Sequence, residues 1–94
     1  MLEQNFPNPF NPSTVIPFVI NSSSEVSLKI FNVLGQEVAT LLNNDEYDEG
    51  EYEINFDASL LPTGIYFYRL SGNITDESVS NNSFMIVKKM LFVK

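Results

Sequence analysis

The chain has 94 residues, a formal net charge of −7, no cysteine and no histidine, which means one domain with one thin core and no disulfide or thiolate metal site, an absence that fits a secreted β-domain as well as a cytosolic one. The charge is uneven: residues 1–57 carry ten acids and one base, a net −9, while residues 58–94 carry two acids and four bases, a net +2. An acidic body argues against nucleic acid, which needs a basic face, and no apolar run approaches the roughly 20 residues that span a bilayer.

Residues 2–13 hold three prolines. Proline fixes φ and lacks an N–H, so this lead-in is extended, irregular backbone. It is expected to pack on the body through Phe6 and Phe10 and to cover a sheet edge. These residues do not read as a signal peptide, and Met1 directly before Leu2-Glu3-Gln4-Asn5 reads as an added start on a domain cut from a longer chain. Thr14–Ile20 alternates, with Ile16, Phe18 and Ile20 on one face, and Pro17 marks an edge or a bulge. Asn21-Ser22-Ser23-Ser24 is a turn cluster. Glu25–Asn32 reads as a strand with Val26, Leu28 and Ile30 inward and Ser27, Lys29 and Phe31 outward. Leu34-Gly35-Gln36 is a hairpin turn with Gly35 at positive φ, and Glu37–Leu42 returns as a short strand.

Asn43–Gly50 reads as an acidic loop. Its carboxylates and amide oxygens offer ligands to Ca²⁺, but it lacks the glycine spacing and terminal glutamate of an EF-hand. In Glu51–Asp57, Tyr52, Ile54 and Phe56 point inward against Glu51, Glu53, Asn55 and Asp57, the least ambiguous strand in the chain.

Leu61-Pro62-Thr63-Gly64-Ile65-Tyr66 has the form Leu-x-x-Gly-x-Tyr, the spacing of a tyrosine corner, in which a strand-start hydroxyl bonds backbone upstream. Parity then sends Tyr66, Tyr68 and Leu70 inward and Ile65, Phe67 and Arg69 outward. The outward pair needs a cover, and the Phe6/Phe10 lead-in is the nearest candidate. Residues 71–83 form a long polar loop with a short ribbon at Thr75–Val79. Phe84–Lys94 closes the chain as a strand that is apolar on both faces, either covered twice or left open for a partner. The whole reads as all-β, a small immunoglobulin-like antiparallel β-sandwich of six to seven strands, with a lead-in over 1–13 and the sandwich over 14–94.

Little here supports catalysis. There is no histidine base, no cysteine nucleophile and no glycine-rich phosphate loop, and no cofactor is implied. Glu51 with Glu53, or Asp45 with Asp48, would make a carboxylate pair, but on a polar face or loop without a cleft. Tyr47, Tyr52, Phe31 and Phe67 would make an aromatic sugar-binding platform, although tryptophan is absent. A purely structural spacer is a third reading.

Four blocks occur in order: Asn8-Pro9-Phe10-Asn11-Pro12; Val26-Ser27-Leu28-Lys29-Ile30-Phe31-Asn32-Val33-Leu34-Gly35-Gln36-Glu37-Val38; Leu61-x-x-Gly64-Ile65-Tyr66-Phe67-Tyr68-Arg69-Leu70; and Lys88-Lys89-Met90-Leu91-Phe92-Val93-Lys94. Together they resemble the type A C-terminal sorting domain of the type IX secretion system, which is similar to the immunoglobulin-like domain of the flagellar hook-capping protein. The resemblance implies a signal without catalysis of its own. Such a domain crosses the periplasm behind an N-terminal cargo protein and is read by the outer-membrane translocon. A sortase-like cysteine peptidase then removes it, just upstream of the domain, and the cargo reaches the cell surface or the medium. The matching positions are Pro9, Gly35, Gly64, Tyr66, Lys89 and Lys94. Pro9, Lys88, Lys89 and Lys94 are the candidates for recognition; Gly35, Gly64 and Tyr66 are candidates for backbone geometry and the core. The 71–83 loop is longer than the family's usual one.

Overall fold

The computed structural model describes residues 1–78 and 82–94. Six strands are present: β1 (Ser13–Ile20), β2 (Ser24–Phe31), β3 (Glu37–Tyr47), β4 (Gly50–Asp57), β5 (Gly64–Ile74) and β6 (Ser83–Phe92). β1 pairs with β4 in one sheet, and the second sheet has the order β3-β2-β5-β6, every neighbour antiparallel. Residues two apart share a face, so Ile16, Phe18 and Ile20 meet Val26, Leu28, Ile30, Tyr66, Tyr68, Leu70, Met90 and Phe92 in one core between the sheets. Tyr66 Oη donates to Pro62 O at 2.5 Å, forming the tyrosine corner of an immunoglobulin-like sandwich. The accessible surface is 5501 Å², close to the roughly 5,500 Å² that scaling gives a tightly folded monomer of this mass. Exposed apolar side chains in this molecule are therefore not a symptom of loose packing.

Two stretches read as loops are strand. β3 runs on through Asn43, Asn44 and Asp45 to Tyr47, with Val26 opposite Asp45 and Ser24 opposite Tyr47. The turn-forming residues are absorbed as a bulge: the register shifts between Val26 and Leu28, and Asn44 takes φ 53°, a conformation asparagine tolerates better than most residues. Ser27 Oγ accepts the Asn44 N–H at 3.0 Å, which holds the bulge. Only Asp48 and Glu49 then cross to β4. Similarly, β5 continues to Ile74 and β6 begins at Ser83, so the long loop is shorter than 71–83. Thr75–Ser78 is not strand, and the Val79 end of the expected ribbon lies outside the described residues. Gly72 is where β5 needs a glycine: a Cβ there would sit 2.7 Å from Glu25 O.

The lead-in joins both sheets. Phe6 exchanges backbone hydrogen bonds with Val15, Glu3 N–H donates to Pro17 O and Val19 N–H donates to Met1 O, all along the free edge of β1. It then leaves this sheet for the other, where Phe10 bridges Phe92 in parallel. The expected anchoring is redistributed. Phe10 is buried between the sheets, its ring centroid 5.1 Å from that of Phe92. Phe6 is exposed, and Leu2 is buried in its place. Because Phe10 enters the core, the lead-in does not cover the outer face of β5: Ile65 stays exposed.

Pro17 has a specific consequence. It lacks the N–H that would complete its pairing with Glu3, which leaves Glu3 O free. Tyr68, reaching across the core from β5, donates its hydroxyl to that carbonyl at 2.7 Å and accepts the Asn5 N–H at 2.9 Å. The buried Asn5 side chain donates to Thr14 Oγ1 and to Pro7 O, and the Thr14 hydroxyl also donates to Pro7 O. Burial pushes the Tyr68 phenol above its ordinary value, with the Asn5 N–H pulling the other way.

Candidate recognition surface

β6 is an edge strand, and the structure spreads its three lysines around it. Lys89 stands opposite Phe67 and is exposed on the outer face; its carbonyl accepts the Gln4 side-chain amide at 2.9 Å. Lys88 has the other parity, opposite Tyr68, and is half-buried on the side of Ile86 and Met90. Lys94 is bound to the tyrosine-corner loop: its N–H donates to Thr63 Oγ1 at 2.9 Å and its Nζ to Leu61 O at 3.3 Å. The lysines therefore do not converge on one point. The only ion pair among the described residues is Lys29 with Glu37, at 3.4 Å, so Lys88 and Lys89 face no carboxylate.

Pro9 is exposed, but its neighbours tie it to this strand. Asn8 Oδ1 accepts the Leu91 N–H, and Phe10 exchanges backbone bonds with Leu91 and Val93. Asn8, Ile65, Lys89 and Leu91 line a shallow cleft of about 150 Å³ beside it. Pro9 and Lys89 thus share one seam, with Lys88 on its inner side and Lys94 beyond its end.

The glycines differ. Gly35 has φ 81°, where side chains are strained; the Asn32 side-chain oxygen accepts the N–H groups of Leu34 and Gln36 in the same turn. Gly64 has no positive φ, and a Cβ there would meet nothing within 4 Å. Nothing inside the domain requires a glycine at that position.

The outer face of the β2-β5-β6 sheet is apolar with embedded cations. Met85, Val87, Leu91, Val93 and Ile65 are exposed on it. Arg69 lies across from Val87 and places its guanidinium carbon 4.7 Å from the Phe31 ring centroid, a cation–π contact. Its buried Nε has no hydrogen-bond partner among the described residues. The sequence places Ile65, Phe67 and Arg69 outward but leaves the two apolar faces of the last strand undistinguished; which face stays open follows from where Phe10 goes, which no local pattern encodes.

Other candidates separate. Tyr47 and Tyr52 pack on Phe18 inside the opposite end of the sandwich, their own centroids 4.7 Å apart, while Phe31 and Phe67 face outward with Arg69. The four aromatics make no common platform. Glu51 and Glu53 line, with Glu3, a depression of about 530 Å³ on the outer face of the β1–β4 sheet. Asp45 lies on β3 and Asp48 in the turn after it. No group of three or more acidic side chains among the described residues is placed to hold a metal.

The family model of the secretion system C-terminal sorting domain matches residues 4–89. The chain belongs to that family. The match takes in the lead-in from Gln4, the whole sandwich and β6 through Lys89; Lys94 lies beyond it. No curated protein and no solved structure matches the chain significantly. As a type IX sorting domain it is a signal for secretion, from a family that is in general non-catalytic, and membership implies attachment to a cargo and contact with the secretion machinery. A sorting domain's cargo passes through the periplasm to the cell surface or beyond. No helix of the described residues is long and apolar enough to cross a membrane.

Proposed function

We propose that this sorting domain carries an N-terminal cargo across the outer membrane by presenting β6 to the translocon, and that a sortase-like cysteine peptidase then removes it. The observation that carries this reading is the character of β6: an edge strand with exposed Met85, Val87 and Leu91, followed by exposed Val93, and with no ion pair to Lys88 or Lys89 among the described residues, in a chain whose other half is net negative. Buried cores do not present such a strand; partner surfaces do. Lys89 and Pro9 sit at the contact, Lys88 supports it from the inner side, and Lys94 extends it to the corner loop. In this reading residues 1–13 are a lead-in and 14–94 the sandwich, with cleavage upstream of Leu2. The domain resides in the periplasm in transit and then at the cell surface or outside.

The test is export of a periplasmic reporter fused ahead of residues 1–94 in a host with type IX machinery. The intact domain is expected to move the reporter out of the cell; a reporter retained in the periplasm rejects the reading. Deleting the terminal strand would also remove Met90 and Phe92 from the core, so charge is the cleaner probe. Lys89→Glu with Lys94→Glu is expected to cut export at least tenfold while the melting temperature holds.

A further inference from the structure

We propose that the bare half of β6, from Met85 up to the N–H of Lys89, accepts an extended strand from the secretion machinery. The incoming strand would carry apolar residues beside Met85 and Val87 and a carboxylate beside Lys88 or Lys89. The inference rests on the sorting function proposed above and specifies how the partner is held.

The β5–β6 ladder runs without a register shift from Gly64 opposite Phe92 to Asn73 opposite Ser83. Leu91 turns both its N–H and its C=O away from β5, to Asn8 Oδ1 and to Phe10 N. Backbone orientation in a regular antiparallel ladder repeats every two residues. Lys89, Val87 and Met85 therefore turn outward as well. The Lys89 carbonyl is taken by Gln4. The Lys89 N–H and both backbone groups of Val87 and Met85 have no partner among the described residues. A row of unpaired backbone groups is a template for another strand; proteins blunt such edges with proline, a bulge, a covering segment or charged side chains, lysine above all, and here Lys88 and Lys89 disfavour any strand that brings no opposite charge. The lead-in covers β6 from Lys89 to Val93 and stops there.

The side chains specify the occupant. Met85 is 65% exposed and Val87 50% exposed, continuing the apolar outer face. Main-chain bonds with side chains alternating to either side are the ingredients of strand addition. Charge selects the partner over a second copy of this chain. Two copies would each bring net −7 and would set Lys88 and Lys89 of one edge near those of the other, both repulsive. A strand with a carboxylate removes that repulsion and pairs the free lysines.

Val87→Pro tests the geometry. Its N–H faces away from β5, so proline there breaks no ladder bond, the one place a strand tolerates it, but it removes a donor and obstructs an added strand. The reporter fusion with Val87→Pro is expected to be folded, melting within a few degrees of the parent, and exported at least tenfold less. Full export of the folded variant overturns strand addition while leaving the sorting function standing. An intact domain that is not exported overturns the sorting function itself. Should the variant fail to fold, amide exchange of the unmodified domain decides. Detergent-solubilised outer membranes of the type IX host are expected to slow exchange at Met85, Val87 and Lys89 at least tenfold; unchanged exchange at all three with the domain bound overturns the proposal.

Discussion

The two halves of β6 have the same alternating chemistry and opposite fates. From Lys89 to Val93 the strand is hydrogen-bonded by Gln4, Asn8 and Phe10, and Phe10 stacks on Phe92 beneath it. From Met85 to Val87 the same edge has no backbone partner among the described residues. The difference arises outside β6, from the course of a segment some 80 residues earlier in the chain. An edge is protected or available according to what non-local backbone reaches it, so the strand's own sequence does not reveal which half is which.

The covered half becomes like the bare one if it loses its cover. Phe10→Ala removes a fully buried aromatic, which costs about 3–5 kcal/mol; at ~4–8 °C per kcal/mol for a domain of this size, the melting temperature should fall by roughly 12 °C or more. Amide exchange at Leu91 and Val93 should then approach that of Met85 and Val87. A smaller change that leaves Leu91 and Val93 protected would show that Asn8 and Gln4 suffice.

Tyr68→Phe loosens the lead-in at its other end. It deletes the donor to Glu3 O and the acceptor for Asn5 N–H, leaving buried groups unpaired at a cost of about 1–3 kcal/mol. Chemical denaturation gives the cost, and faster exchange at Asn5 locates it. The phenol also makes stability depend on pH. Its folded pKa lies above the unfolded value near 10.0, so its contribution is full below that value and is lost as pH rises through the folded pKa. Wild-type stability should fall more steeply than that of Tyr68→Phe between pH 9 and 11; parallel profiles would reject the assignment. The smallest effect belongs to the bare half: Met85→Ser should change stability by no more than about 0.5 kcal/mol, measured by the same denaturation.

Most of the fold was legible because its signals are local. Period-two alternation placed Ile16, Phe18 and Ile20, then Val26, Leu28 and Ile30, then Tyr66, Tyr68 and Leu70 on inward faces, and all nine are buried. The turn at Gly35 and the Tyr66 corner were likewise written in short spacings. What was not legible depends on distant partners. Asn43-Asn44-Asp45 carries turn chemistry, yet pairing with β2 turns it into a bulge within a strand. The buried Asn5 was missed because nothing near it marks it for the core; its partners are Thr14 and, 63 residues away, the Tyr68 hydroxyl. Gly72 did carry a signal, an isolated glycine within a strand pattern. Of the candidate surface, the lysines and the apolar parity of β6 were visible, while their division between seam, outer face and corner loop required the fold.

The course of the lead-in also sets how the molecule bears a pull. Met1 is bonded to Val19 at one end of a body 45 Å long, whereas Lys94 is bonded to Leu61 and Thr63 at the other. If machinery grips β6 while a cargo drags on residue 1, the load runs lengthwise along the lead-in. Its backbone bonds to Val15, Pro17 and Val19 on β1, and to Leu91 on β6 and Val93 just after it, must then give way together rather than unzip singly. The segment joining cargo to signal is loaded in shear, the direction in which paired strands resist best, and a tethered cargo would tug against the whole sandwich rather than peel its first residues away.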